Sequence, residues 1–361
     1  MGHRSRVPVI ALALLVLLAA VPLAVGGPPR ARQAPHPHFE VQPVWQNLNY
    51  PAALAFESER RIFFAERHTG RIRLIERGVL RPDPLATLEV PAGPGEQGLL
   101  ALVLHPDFAT RRFLYAYHTA PAPLRNRIVR LRERDGRAED PRVILDGIPA
   151  APFRNGGGLR FGPDGRLYAG VGDAGDPAAP QDPAVPLGKI LRMNPNGSIP
   201  GDNPQPGSLV YALGIRNASG LSFHPLTGRL FATDSGGERG EELNLIFPGG
   251  NYGWPKVMGP GRDARFIDPL LTYRSAAGPS TLAFYTGLRY PPAFRFNLYV
   301  GEQATGVIRR VLLRYPEYAQ VERDEVLIQA PGPVVEVAEG PDGYLYFTTP
   351  TGIYRVIYTG K

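Results

Sequence analysis

The chain has 361 residues, a formal net charge of +7 and no cysteine, which excludes disulfides, thiolate metal sites and lipoprotein attachment through a thiol. Its positive charge is almost all arginine, since Lys189, Lys256 and Lys361 are the only lysines, and the arginines are scattered rather than clustered. That pattern argues against a nucleic-acid partner and leaves small anionic ligands or a cell-surface setting as the meaning of the charge.

In chain order, Arg4 and Arg6 precede an apolar run from Val7 to Val25, followed by Gly26-Gly27-Pro28-Pro29. A basic start and an apolar stretch make residues 1–27 a signal peptide or, because the run is long enough to span a bilayer, an N-terminal membrane anchor. Either reading predicts an exported protein. Residues 28–38 read as a Pro-rich linker. Residues 39–361 then carry a repeat, in which a turn rich in Gly, Pro or Asp runs into a short apolar strand. It occurs six times: Arg61-Ile-Phe-Phe-Ala, Arg112-Phe-Leu-Tyr-Ala, Arg166-Leu-Tyr-Ala-Gly, Arg229-Leu-Phe-Ala-Thr, Asn297-Leu-Tyr-Val-Gly and Tyr344-Leu-Tyr-Phe-Thr. The spacing of roughly 45 to 70 residues is that of propeller blades. Each unit is expected to be a four-stranded antiparallel sheet that is apolar on both faces and must stack on its neighbours to bury them. The predicted fold is therefore all-β, a six-bladed propeller. The strand from Phe39 to Trp45 is expected to complete the sheet begun by Gly352–Tyr358 and so to remove an exposed edge.

Aligned on the apolar position before each turn, the repeats give Phe56, Leu104, Phe161, Phe223, Phe284 and Glu339. A common register means a common side-chain direction, so residues seven or eight positions upstream, roughly at the start of the inner strand, should ring one mouth of the channel. These are Asn49, Glu96 with Gln97, Arg154 with Asn155, Arg216 with Asn217, Ala277 and Gly332. A second layer comes from Asp173 and from the loop Asp234-Ser235-Gly236-Gly237. Convergent polar groups in a concave site mark a binding site. A propeller hydrolase finds no support, because no histidine falls at this funnel and no serine sits in a nucleophile-elbow setting.

Four segments carry a family resemblance: Glu96-Gln-Gly-Leu-Leu-Ala-Leu-Val-Leu-His-Pro-Asp-Phe108, Leu187-Gly-Lys-Ile-Leu-Arg-Met-Asn-Pro-Asn-Gly-Ser-Ile-Pro200, Glu242-Leu-Asn-Leu-Ile-Phe-Pro-Gly-Gly-Asn-Tyr-Gly-Trp-Pro255 and Leu282-Ala-Phe-Tyr-Thr-Gly287. From about Val41 to Tyr358 the chain resembles the soluble aldose and glucose/sorbosone dehydrogenases that use pyrroloquinoline quinone (PQQ). The resemblance implies an exported six-bladed propeller that oxidises a sugar C1 hydroxyl by hydride transfer to PQQ beside a calcium ion, and passes the electrons to an acceptor. It also implies roles: Asp173 as the acidic partner of a catalytic histidine, Arg216 and Asn217 against the quinone, and the carbonyls near Gly236 and Gly237 on the metal; Asn155 and Gln97, from their place in the funnel register, are added as candidate cofactor contacts.

The departures concentrate at that same site. The family pattern His-x-Gly-Gly-x-Leu-x-Phe-Gly-Pro-Asp-Gly is here Arg154-Asn-Gly-Gly-Gly-Leu-Arg-Phe-Gly-Pro-Asp-Gly165, and its Arg-x-Arg-Asp is Pro333-Val-Val-Glu336. A guanidinium offers only donors and stays protonated, so Arg154 cannot accept the hydroxyl proton. Glu96 or Asp173 would have to act as base, with Arg154 and Arg216 gripping an anionic cofactor. The other reading is a catalytically degenerate propeller that binds an anionic ligand, a glycan or a protein at the funnel mouth.

Overall fold

The computed structural model describes residues 34–93, 95–235, 240–273 and 277–360. Residues 1–27, expected to be a signal peptide or an anchor, lie outside the described residues. Among those that are described, no helix is long and apolar enough to cross a membrane.

Six antiparallel sheets follow one another along the chain. Their inner strands are Pro51–Ser58, Leu99–Leu104, Leu159–Phe161, Gly220–Phe223, Pro279–Phe284 and Glu336–Glu339, which number blades one to six. Five sheets have four strands. In blade one the outermost place is shared by two short strands, Val79–Leu80 and Ala86–Thr87, both paired to Arg71–Glu76.

The register predicted from the repeat is the register found. Phe56 faces Ile62, Leu104 faces Leu114, Phe161 faces Leu167, Phe223 faces Leu230, Phe284 faces Leu298 and Glu339 faces Leu345, each near the turn that links the first two strands of its blade. The turn chemistry repeats as well. Asp164 Oδ1 accepts the Arg166 N–H while its Oδ2 takes the Tyr168 hydroxyl, and Asp342 does the same for Tyr344 and Tyr346. Asp is suited to this because its short carboxylate caps backbone N–H groups two residues on.

The core is not central. Six apolar clusters lie between successive blades, for example Phe63, Leu102, Leu114 and Leu131 between blades one and two, or Tyr299, Leu327, Val337 and Phe347 between blades five and six. Each sheet thus buries both faces against its neighbours, which is why its strands read as apolar runs rather than as alternation. Ring closure is a strand exchange between the chain ends. Phe39–Gln46 pairs antiparallel with Gly352–Tyr358, Phe39 opposite Tyr358 and Val41 opposite Val356. Phe39 is buried against Tyr290, Phe294 and Tyr358, with ring centroids 5.1, 4.9 and 5.2 Å away. Within the expected linker, Ala34–His38 is described: the His36 N–H donates to the Leu327 carbonyl at 3.0 Å, so this stretch rests on the outer strand of blade five.

Candidate active site in the central funnel

Because every inner strand begins at the same end of the ring, the loops that precede these strands converge there. They enclose a cavity of about 730 Å³, within the range that holds small ligands. Arg67, Glu96, Arg154, Arg160, Arg216 and Asn217 are among its polar walls. Among the described residues no histidine lines it.

Arg154 takes φ = 62°, a left-handed backbone that is uncommon outside glycine. Close approach imposes it. The Arg154 carbonyl lies against Gly172, where a Cβ would meet it at 2.0 Å, and a Cβ on Gly156 would meet the Gly170 carbonyl at 2.3 Å. The strained turn leaves the Arg154 side chain about a third exposed in the cavity, with Nη1 3.7 Å from Asp173 Oδ2. Glu96 braces it from blade two: its Oε2 accepts the Arg154 N–H at 2.7 Å and the Asn217 amide at 3.4 Å.

Asp173 stands behind the cavity wall rather than in it. It is completely buried, with Oδ1 accepting the Gly175 N–H at 2.8 Å and Oδ2 accepting the Trp254 indole N–H at 3.0 Å. Trp254 in turn lies under Arg216, whose guanidinium carbon is 4.5 Å from the ring centroid, a cation–π distance. Burial and the neighbouring Arg154 guanidinium lower the pKa of Arg216, and its Nε is buried without a hydrogen-bond partner among the described residues. A partly desolvated guanidinium beside a second one, with an Nε that no described residue accepts, favours an anion. Asn217 Oδ1 accepts the Gly156 N–H at 2.8 Å and its amide donates to Ser235 Oγ at 2.8 Å. The backbone N–H groups of Arg216 and Asn217 are both held by the buried Asp234 carboxylate, at 2.9 and 2.7 Å.

Four of the residues expected at the funnel, Glu96, Arg154, Arg216 and Asn217, therefore meet in one cavity. Asn155 and Gln97 face away from it. The Asn155 side chain is buried, accepts from Asn126 and from the Ala151 N–H at 3.1 Å each, and donates to the Ala151 carbonyl at 2.7 Å. Gln97 donates to the same carbonyl at 3.1 Å. Both fix the loop from Ala151 to Arg154 instead of presenting donors to a ligand. Gly236 and Gly237 lie outside the described residues, and no described cluster of three or more His, Asp or Glu side chains could hold a metal. Sequence reasoning missed Trp254, Arg67 and Arg160. Of these Trp254 alone carried a signal, as the aromatic end of the Glu242–Pro255 segment.

A six-bladed propeller with a cation-lined funnel at the loop end of its inner strands defines a class of small-ligand binder. A profile of the glucose/sorbosone dehydrogenase family matches residues 48–355, and the chain belongs to that family. It is 31% identical over 76% of its length to quinoprotein glucose dehydrogenase B of Acinetobacter calcoaceticus, covering 64% of that protein. It is 26% identical over 86% of its length to the aldose sugar dehydrogenase YliI of Escherichia coli, covering 89% of it. Its fold is similar to the PQQ-bound aldose sugar dehydrogenase of Streptomyces coelicolor, with a TM-score of 0.79 and 31% identity over 90% of this chain and 99% of the other.

Proposed function

We propose that this chain is an exported dehydrogenase-like propeller whose funnel binds PQQ, a planar tricarboxylate, and oxidises the C1 hydroxyl of an aldose. The observation that carries the reading is the paired opening of Arg154 and Arg216 onto one cavity, with the Arg216 Nε left unpartnered among the described residues. The donor set fits a polyanion. Arg154 and Arg216 would hold carboxylates, and Trp254 keeps the Arg216 guanidinium flat and in place. When bound, the quinone supplies a two-electron acceptor for the hydride.

The chain's own residues constrain the proton. Arg154 has no lone pair to accept it, and both oxygens of Asp173 are engaged behind the wall. Glu96 lines the cavity and has one oxygen committed to Arg154 and Asn217, so it is the residue we assign as proton acceptor. The calcium carbonyls that the resemblance implies at Gly236 and Gly237 lie outside the described residues, and no step here is drawn through the metal.

A second reading, a binding propeller without turnover, draws on the arginine at position 154 and the absence of histidine among the described lining residues. One experiment separates the two. Calorimetric titration of the purified chain with PQQ, with and without calcium, should give saturable one-to-one binding, and a dye-linked screen of aldoses should then give turnover. Binding without turnover selects the second reading, and no binding removes the quinone from both.

A further inference from the structure

Below Arg154 and Arg216 the funnel is closed by a contact between opposite sides of the ring. Arg160, on the inner strand of blade three, sends Nη2 to Glu336 Oε1 on the inner strand of blade six at 2.9 Å. The other carboxylate oxygen accepts the hydroxyl of Thr281 from blade five at 3.0 Å. Glu336 is buried, and both oxygens are taken. Arg160 is different. It keeps 27% of its side chain exposed, and Nε and Nη1 make no hydrogen bond among the described residues. It lines the upper cavity and also a smaller one of about 410 Å³ towards the opposite mouth, so it is the partition between them.

An ion pair crossing an open channel is a weak stabiliser by itself, since desolvation of the buried partner offsets much of the attraction. A guanidinium whose long side chain is fixed at one nitrogen while others reach the cavity is, however, preorganised to receive a second anion, because ordering the side chain no longer costs entropy on binding. We propose that Arg160 is a ligand-binding residue, the floor contact of the funnel, positioned by Glu336 and Thr281 to take a carboxylate at the deep end of the anion that Arg154 and Arg216 hold above. The inference rests on the PQQ reading and adds to it the group that reads the far side of the molecule. These three arginines come from blades three and four, while Arg67 on the same cavity comes from blade one. Val335, which borders the same cavity beside Glu336, contributes no cation from blade six.

The test is calorimetric, on the full chain without turnover. Arg160→Gln removes the charge and leaves a shorter, neutral amide. A lost charge-assisted hydrogen bond should weaken PQQ binding by on the order of ten- to a hundredfold, while Glu336→Gln, which loosens the tie, should weaken it less. Arg160→Gln with Val335→Arg, which returns a cation from the facing blade, should recover part of the loss. The trimethyl ester of PQQ, which has no carboxylates, should bind wild type and Arg160→Gln alike. Melting curves on each variant establish that it is folded, and Arg160→Met, which also lacks the charge, serves should Arg160→Gln fail to fold. Wild-type binding of PQQ with unchanged affinity in both Arg160 variants overturns the inference alone and leaves a structural plug. No wild-type binding overturns the quinone reading, and this inference with it.

Discussion

Arg154 concentrates the chemical question in one side chain. Its left-handed φ of 62° is a conformation that histidine, like asparagine and aspartate, enters more readily than most residues, so Arg154→His should be accommodated without moving the loop. That loop is held independently by Asn155, Gln97 and Glu96. The new imidazole would stand near Asp173, whose carboxylate is fixed by Gly175 and Trp254 and so could orient it. General-base assistance is worth about two to four orders of magnitude. We therefore expect Arg154→His, loaded with PQQ and calcium, to raise aldose oxidation in a dye-linked assay by about a hundredfold or more. The rate should climb with pH through a group near the ordinary histidine pKa. An unchanged rate with quinone bound would show that the replacement of arginines by Pro333 and Val335 is limiting as well.

At the level of strands and loops, what was legible in the sequence follows from locality. The inner strands, the turns and the pairing of Phe39–Gln46 with Gly352–Tyr358 depend on short patterns of apolar and turn residues, so the blades and their register could be read directly. The orientation of funnel side chains could not. Arg154 and Asn155 are neighbours with opposite fates, because Asn155 meets Asn126 from a blade-two strand, a partner that no local pattern announces. The same limit hid Trp254, which reaches Asp173 from 81 residues away, and the tie of Arg160 to Glu336, which are 176 residues apart. Ring closure makes an element-scale prediction. Phe39 is buried among aromatic rings at the closing strand, so Phe39→Ala removes a large side chain from a packed site. It should cost about 3–5 kcal/mol and lower the melting temperature by several degrees in calorimetry, whereas Glu40→Ala on the exposed face of the same strand should leave it unchanged.

For the molecule as a whole, burial sets two opposed pH dependences against each other. Burial raises Asp234 to about 6, and burial reinforced by Asp234 raises Glu242 to about 7. A carboxyl raised on folding holds its proton longer in the folded state, so stability is full at low pH and falls as pH rises through those values. Burial also lowers His224 to about 4. In that case the unfolded chain binds the extra proton between about 4 and 6.5, and stability rises with pH across the same window. The two effects act from neighbouring parts of the ring, Glu242 bonded to Gly259 and Asn244, His224 accepting the Leu226 and Thr227 N–H groups. Two carboxyls outweigh one histidine across the shared window, so these three groups together should make stability fall as pH rises from about 4.5 to 6. Glu242→Gln should leave Asp234 and His224 opposing one another, so that the fall flattens in urea titrations. His224→Gln should leave both carboxyls unopposed, so that stability falls more steeply. Lys189 extends the argument upward. Its buried ammonium donates to the carbonyls of Ala179, Pro180 and Leu187, yet burial still lowers it to about 8. Between there and its unfolded pKa the unfolded chain holds more protons, so Lys189 should add a rise in stability above about pH 8 that Lys189→Met abolishes.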